Sequence, residues 1–523
     1  MKTRALFGCL LAALLAVTAT ANAVVVNTWV QYAPNDTVLL RAIDNTPGAN
    51  CPTAAVDGAP VTMTPRVSSL PATGNYAYPI TMCEASYSAF GHTSATVAGV
   101  TLKMPKTNPT RILVIGDTGC RLGSSYPSVQ LCDDPQQYPL QYIATYAATF
   151  QPDLIIHVGD FFYREYPCPT AQNTSSGCGG SPYLDSWASW NADWFTPAAN
   201  LMTAAPMALA RGNHESCNRG ARGWFQFLDT HFVNDPTDLQ NAVNCIGTYN
   251  IGTQPPGYTG TVTTYVGPYD HTEPYLVHAG SVTLLMFDSS DDNTSAPDLT
   301  HRTLATDPYP SMTLPAVYEA QLTILLSTIE SAPTQNPNGI FVTHKSTYDI
   351  RSSPTNTTQT NGPFSGGDAT MQYVFNYLTS GDANTATPNG VPSEIRMLLA
   401  GHDHQFEVVN FTNTAFAPQM TQGNSGTLLD NALPTNAPGS TFPPQTTPAD
   451  AGQSYTLPGL APNGSTPSIT IKNNSDRAEY GFSVWDAVPG QSGNFIVSVY
   501  NTSSSKLARC SIQLPNRNIV CVQ

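Results

Sequence analysis

The sequence predicts a layered α/β protein, and three observations support this. Short apolar runs alternate with helix-length segments between Arg111 and His404. Several of those runs end in Gly-Asp, Asn-His or a lone histidine, as expected of loops that follow buried strands. The flanking segments hold only strand-length runs separated by turn residues, so β-rich regions are expected before and after the alternating part.

Taken in order, residues 1–23 read MKTRALFGCLLAALLAVTATANA. Lys2 and Arg4 precede an apolar core too short to span a bilayer well. Ala21-Asn22-Ala23 fits a small-x-small cleavage site, so a secretory signal peptide is expected. Residues 24–108 carry the runs VVVNTWVQY, TVLLRAI, PVTMTP, YPITMCEA and ATVAGVTLKM, spaced as in an N-terminal β-sandwich-like domain. From 109 to 430 the strand candidates RILVIGD, PDLIIHVGD, VTLLMFD, NGIFVTH and EIRMLLAG alternate with the helix candidates PLQYIATYAATF, VYEAQLTILLSTIES and ATMQYVFNYLTS. Residues 431–523 begin as a loop rich in Pro, Ser, Thr and Asn. They end in the runs YGFSVWDAV, NFIVSVYN, ARCSIQL and IVCV, a β-rich C-terminal region.

Composition bounds the function. The chain has 523 residues, more than one domain's worth, with 41% hydrophobic and only 11% charged residues. A net charge of -15 and the absence of any Lys/Arg run argue against nucleic acid as a partner. No segment after the signal is apolar for long enough to span a membrane, so a secreted or periplasmic protein is expected. The cysteines after the signal fall into close sequential pairs: 51 with 83, 120 with 132, 168 with 178, 217 with 245, and 510 with 521. An oxidising compartment would join them as disulfides.

Five strand-end segments carry candidate chemistry: IGDTG with Asp117, VGDFFY with Asp160 and Tyr163, RGNHE with Asn213 and His214, FVTH with His344, and GHDH with His402 and His404. Hard oxygen ligands combined with imidazoles suit Fe, Zn or Mn. Two cations held close together need a shared anionic ligand, and Asp160, in a central loop, is placed to bridge them. Gly401 is expected to let the GHDH loop turn sharply.

As a set, these segments resemble the calcineurin-like metallophosphoesterases, and GDTG with GDFFY resembles the purple acid phosphatase branch. The resemblance runs from Gly116 to His404. It implies an αββα layered sandwich and two metal ions, Fe(III) plus Zn, Mn or Fe(II). One ion would take Asp117, Asp160, Tyr163 and His404, and the other Asp160, Asn213, His344 and His402. His214 would bind the phosphate or protonate the leaving group. The implied reaction is hydrolysis of a phosphate monoester by hydroxide activated at the metals, with no covalent enzyme intermediate. A phosphodiesterase or nucleotidase with the same site, and a secreted binding protein without activity, are the alternatives.

The chain departs from the branch after His344, where HKSTYDIRSSP lacks the further histidine usual there. The leaving-group acid is therefore open, with Lys345, Arg351, His301 and His271 as candidates. Arg164 and Glu165 are either supports for the metal loops or solvated loop charges. His157 is expected to be a satisfied core histidine, and Trp187, Trp190, Trp194 and Phe195 to be core packing.

Overall fold

The computed structural model describes residues 24–66, 73–123, 129–175, 177–216, 219–230, 272–290, 314–331, 338–348, 367–380, 390–430, 454–456, 468–477 and 479–522. Two large sheets dominate this mixed α/β fold. The first has eleven strands, and its centre is the parallel set Arg111–Ile115, Leu154–His157, Met207–Leu209 and Val25–Ala33. The second has eight strands, with Val282–Met286, Gly339–Val342, Ile395–Ala400 and Gln419–Gln422 parallel in its middle. A four-stranded sheet is built from Ala54–Val56, Ala59–Val61, Ser94–Val97 and Val100–Lys103.

The alternation of side chains along the strands sets the cores. Ile112, Val114, Leu154 and Ile156 of the first sheet share one apolar cluster with Leu284, Ile340, Val342, Met397 and Leu399 of the second. The opposite faces turn to helices. Leu113, Ile115 and Ile155 pack with Ile143 and Ala147 of helix Leu140–Thr149 and with Trp190, Trp194 and Phe195. Leu285, Phe341 and Leu398 pack with Leu322 and Leu325 of helix Leu314–Ser331 and Phe375 of helix Ala369–Ser380. Strands covered on both faces read as near-continuous apolar runs, which is why RILVI and LIIH stood out. Trp190, Trp194 and Phe195 are core, as expected, and Trp187 is half-buried against them.

Residues 24–108 divide between two sheets, the four-stranded one and the edge of the eleven-stranded one. Val25–Ala33 pairs in parallel with Met207–Leu209 and antiparallel with Thr37–Asp44, so the N-terminal strands extend the central sheet. The reason is burial: seven of the nine residues in that strand are buried, leaving no polar face for an outer sheet. The C-terminal strands Gly481–Ala487 to Asn518–Val522 extend the same sheet from its other side, beside Arg111–Ile115.

Disulfides join Cys51 to Cys83, Cys120 to Cys132, Cys168 to Cys178 and Cys510 to Cys521, as expected. The expected Cys217–Cys245 pair lies outside the described residues. No helix among the described residues is long and apolar enough to cross a membrane.

Candidate metal centre

All five motif loops leave the carboxyl ends of central strands, where α/β sheets place their ligands. The strand ending at Ile115 leads to Asp117, that ending at His157 to Asp160, and that ending at Leu209 to Asn213 and His214. In the second sheet, Val342 precedes His344 and Ala400 precedes His402. Backbone bonds stitch the loops together: Asp117 N–H to Gly159 O (2.9 Å), Thr118 N–H to Asp160 O (2.8 Å) and Gly401 N–H to His344 O (2.8 Å).

Three of the bends fall on non-glycine residues at positive φ: Asp117 (54°), Asp160 (58°) and His402 (71°). Such backbone is costly and persists where the surroundings over-determine it. The turn expected at Gly401 is therefore made by His402. Gly401 is needed for space, since a Cβ there would sit 2.5 Å from Asp117 Oδ2.

The candidate ligands converge. Tyr163 Oη lies 2.6 Å from Asp160 Oδ2, 3.0 Å from Asp117 Oδ1 and 3.0 Å from His404 Nε2. His404 Nε2 is 3.6 Å from Asp117 Oδ1. On the other side of Asp160, His344 Nε2 lies 3.1 Å from Asp160 Oδ2 and 3.0 Å from Asn213 Oδ1. His402 Nδ1 is 2.9 Å from the same Asn213 oxygen. Asp160, His344 and His402 form a cluster whose ligand atoms all lie within 4.8 Å of one another.

The donor chemistry fits a cation. His344 Nδ1 donates to Val158 O (2.9 Å), so a neutral His344 ring turns the Nε2 lone pair towards the site. That lone pair faces two oxygens, Asp160 Oδ2 and Asn213 Oδ1, which are acceptors as well. Three acceptors in mutual contact repel unless a positive charge lies among them. His404 repeats the pattern: Nδ1 donates to Leu428 O (2.7 Å), which leaves Nε2 as a lone pair towards Tyr163 and Asp117.

Protein charges alone hold the site in a different protonation pattern. Burial, and then the Asp160 charge, push the Asp117 carboxyl well above the usual range. Burial also acts to raise Asp160, but His344 and His214 outweigh it and hold it well below. Burial together with Asp117 and Asp160 raises the Tyr163 phenol, and burial lowers His404 to about 4. Metal ligation works against the first and third of these, because it needs carboxylate and phenolate.

His214 stands beside the cluster, its ring centroid 3.8 Å from that of Tyr163 and its backbone N–H on Asp160 Oδ1 (2.8 Å). Glu165 Oε1 lies 2.6 Å from His214 Nδ1, a close ion-pair contact short of an aligned hydrogen bond. Arg219 Nε reaches the same oxygen at 3.5 Å. Glu165 is thus a site residue rather than a loose loop charge. Arg164 is buried and paired with Asp193.

Two supporting carboxylates escaped the sequence reading. Glu215 accepts the N–H groups of Asp160, Phe161, Phe162 and Gly212 at 2.8–3.1 Å. Asp193 accepts those of Tyr163 (2.9 Å) and Cys120 (3.0 Å). Only Glu215 left a trace in the sequence, as the last residue of RGNHE. His157 is a satisfied core histidine, with Nε2 on Thr118 Oγ1 (3.0 Å) and its ring stacked on Phe161. Lys345 is buried next to His344. The other leaving-group candidates, Arg351, His301 and His271, lie outside the described residues.

The chain is similar in fold to a purple acid phosphatase from yellow lupin (Lupinus luteus) seeds. The TM-score is 0.47 and the identity 12%, over 94% of this chain and 74% of that one, a likeness too slight to bear on activity. No curated protein matches the sequence. The sequence profile of the calcineurin-like phosphoesterases matches residues 110–406, more than half of the chain and every motif loop. The chain belongs to the calcineurin-like phosphoesterase family.

Proposed function

We propose that this protein is a secreted or periplasmic, two-metal phosphoesterase of the purple acid phosphatase type that hydrolyses phosphate monoesters. The observation that carries this reading is the acceptor cluster of His344 Nε2, Asn213 Oδ1 and Asp160 Oδ2, continued across Asp160 by Tyr163, Asp117 and His404. The three apolar cores, one between the sheets and two beneath helices, support an αββα arrangement around it. The disulfides support an oxidising compartment.

Asp117, Asp160, Tyr163 and His404 would hold one ion, Fe(III), and Asp160, Asn213, His344 and His402 the other, Zn, Mn or Fe(II). When bound, such a pair supplies a hydroxide nucleophile near neutral pH and offsets charge on the phosphate oxygens.

The remaining chemistry belongs to the chain's own side chains. Asp160 is shared between the two halves, fixed by Glu215 at its backbone and His214 N–H at its carboxylate. His214 presents its Nε2 edge beside the cluster, 3.9 Å from Asp160 Oδ2, while Glu165 holds Nδ1. That edge is placed to hydrogen-bond a phosphate oxygen or pass a proton to the leaving group. Metal analysis combined with assays on p-nitrophenyl phosphate and bis-p-nitrophenyl phosphate tests the reading. Metal-dependent turnover of the monoester is expected, and a folded protein that holds metal but turns over neither ester overturns it.

A further inference from the structure

The strand Val282–Met286 runs into Phe287, Asp288, Ser289 and Ser290, a segment that contributes no candidate ligand. It lies between two ligand loops, one from each large sheet. Phe287 N–H donates to Val342 O (2.9 Å), which keeps the segment beside the strand that leads to His344. Asp288 and Ser289 are both buried, so their polar atoms depend on partners within the protein.

Ser289 brackets His344. Its Oγ accepts from Thr343 Oγ1 (2.8 Å) and from Lys345 N–H (3.0 Å), the residues on either side of that histidine. Asp288 reaches the other loop through Arg211, whose Nη1 lies 3.3 Å from Asp288 Oδ2. Arg211 Nε donates to Glu215 O (3.0 Å), and its guanidinium lies over the Phe225 ring, 4.7 Å from the centroid. A planar guanidinium engaged on three sides has little freedom, and this one closes the turn 211–215 that carries Asn213.

Asp288 is a fixed anchor for that guanidinium. Its Oδ1 accepts from Ser290 N–H (2.9 Å) and its Oδ2 from Thr272 N–H (2.6 Å). Its backbone N–H and carbonyl each lie 3.4 Å from the side-chain amide of Gln321, in helix Leu314–Ser331. Asn213 Oδ1 and His344 Nε2, 3.0 Å apart, thus depend on adjacent residues of one segment. Tyr163 and His404 take their support elsewhere, from Asp193 and from Leu428 and Asp430.

We propose that Asp288 and Ser289 are positioning residues for one half of the centre, Asp288 setting Asn213 through Arg211 and Ser289 setting His344. The inference rests on the two-metal reading above. It makes the affinity for the ion at Asn213, His344 and His402 depend on this segment, and the affinity for the ion at Tyr163 and His404 independent of it.

The test uses wild type, Asp288→Asn and Ser289→Ala, each loaded with iron and Zn(II). The free Zn(II) needed to hold the zinc equivalent is measured in a chelator buffer, alongside iron content, visible band and melting temperature. Asp288→Asn removes the charge facing Arg211, and Ser289→Ala removes the acceptor shared by Thr343 and Lys345. Each should need about tenfold or more free Zn(II), the scale for losing a group that orients a metal ligand, while the iron and its band stay as in wild type. An unchanged zinc requirement, or zinc and iron lost together, overturns the proposal. If Asp288→Asn does not fold, Ser289→Ala decides by the same readings. A wild type that holds one metal equivalent defeats the two-metal reading instead. Binding of Zn(II) alone then decides, since His344 belongs to the cluster with Asp160 and His402. Weaker binding in Ser289→Ala sustains the proposal and unchanged binding overturns it. A wild type that binds no metal overturns both.

Discussion

His344 Nε2 stands 3.1 Å from Asp160 Oδ2, and in the neutral ring neither atom has a proton to offer the other. The imidazole proton is committed to the Val158 carbonyl on the far side of the ring. Two lone pairs held this close from different sheets form a seat for a cation, and the loops around them are built to keep it.

Gly212 is one part of that construction. A Cβ at this position would lie 2.0 Å from Asp160 Oδ1 and 2.3 Å from Asp160 N, and the backbone atom cannot step aside. Gly212→Ala should therefore displace the Asp160 carboxylate. Activity should fall by ~10²-fold, the scale of a misplacement of about 1 Å, and metal content should fall with it. Elemental analysis and kcat/KM check this, and a variant with full metal and full rate would show that the contact relaxes harmlessly.

His214→Ala should keep both metals yet lose ~10²-fold or more in rate, as expected when a proton donor or transition-state hydrogen bond is removed. Glu165→Gln should lose less. Burial and Arg219 lower the His214 proton affinity while Glu165 raises it, so removing the carboxylate lowers it further. If protonated His214 serves the leaving group, the alkaline limb of the pH–rate profile moves to lower pH in Glu165→Gln. Metal loss in His214→Ala would make this residue a ligand instead.

The eight candidate site residues were legible in the sequence because each follows an apolar strand, and strand ends of one α/β domain meet in space. What holds them was not legible. Asp193 lies thirty residues beyond Tyr163 in sequence, so no spacing marks it. The pairing of Val25–Ala33 with Met207–Leu209 left no mark in the sequence, because that partner is only three residues long and too short to register as a strand. The GHDH turn was expected at Gly401, but the positive φ falls on His402, a residue type that adopts left-handed backbone more readily than most non-glycines.

Tyr163 should give the protein a colour. A phenolate bound to Fe(III) absorbs in the visible range, and a hard phenolate favours Fe(III) over Zn. Iron-loaded wild type should be coloured, and Tyr163→Phe should be bleached but folded, because only the oxygen is lost. An iron-loaded protein whose visible band survives Tyr163→Phe would remove Tyr163 from the ligands.

His157 makes stability depend on pH. Burial holds its imidazole neutral, with the proton affinity well below the ordinary value of 6.5. Below pH 6.5 the unfolded chain takes up a proton that the folded chain refuses, so this contribution is complete above 6.5 and is lost as pH falls. The slope approaches ~1.4 kcal/mol per pH unit. Denaturation between pH 7 and pH 5 should show a steeper fall for wild type than for His157→Phe. Equal slopes would mean that His157 titrates normally.

The most direct test of the account measures metal stoichiometry and p-nitrophenyl phosphate hydrolysis together, in wild type and Asp160→Ala, before and after chelation. The account predicts two metal equivalents in wild type, turnover abolished by chelation and restored by adding iron with zinc or manganese, and neither paired metals nor activity in Asp160→Ala. An Asp160→Ala protein that keeps wild-type metal content and rate would contradict it.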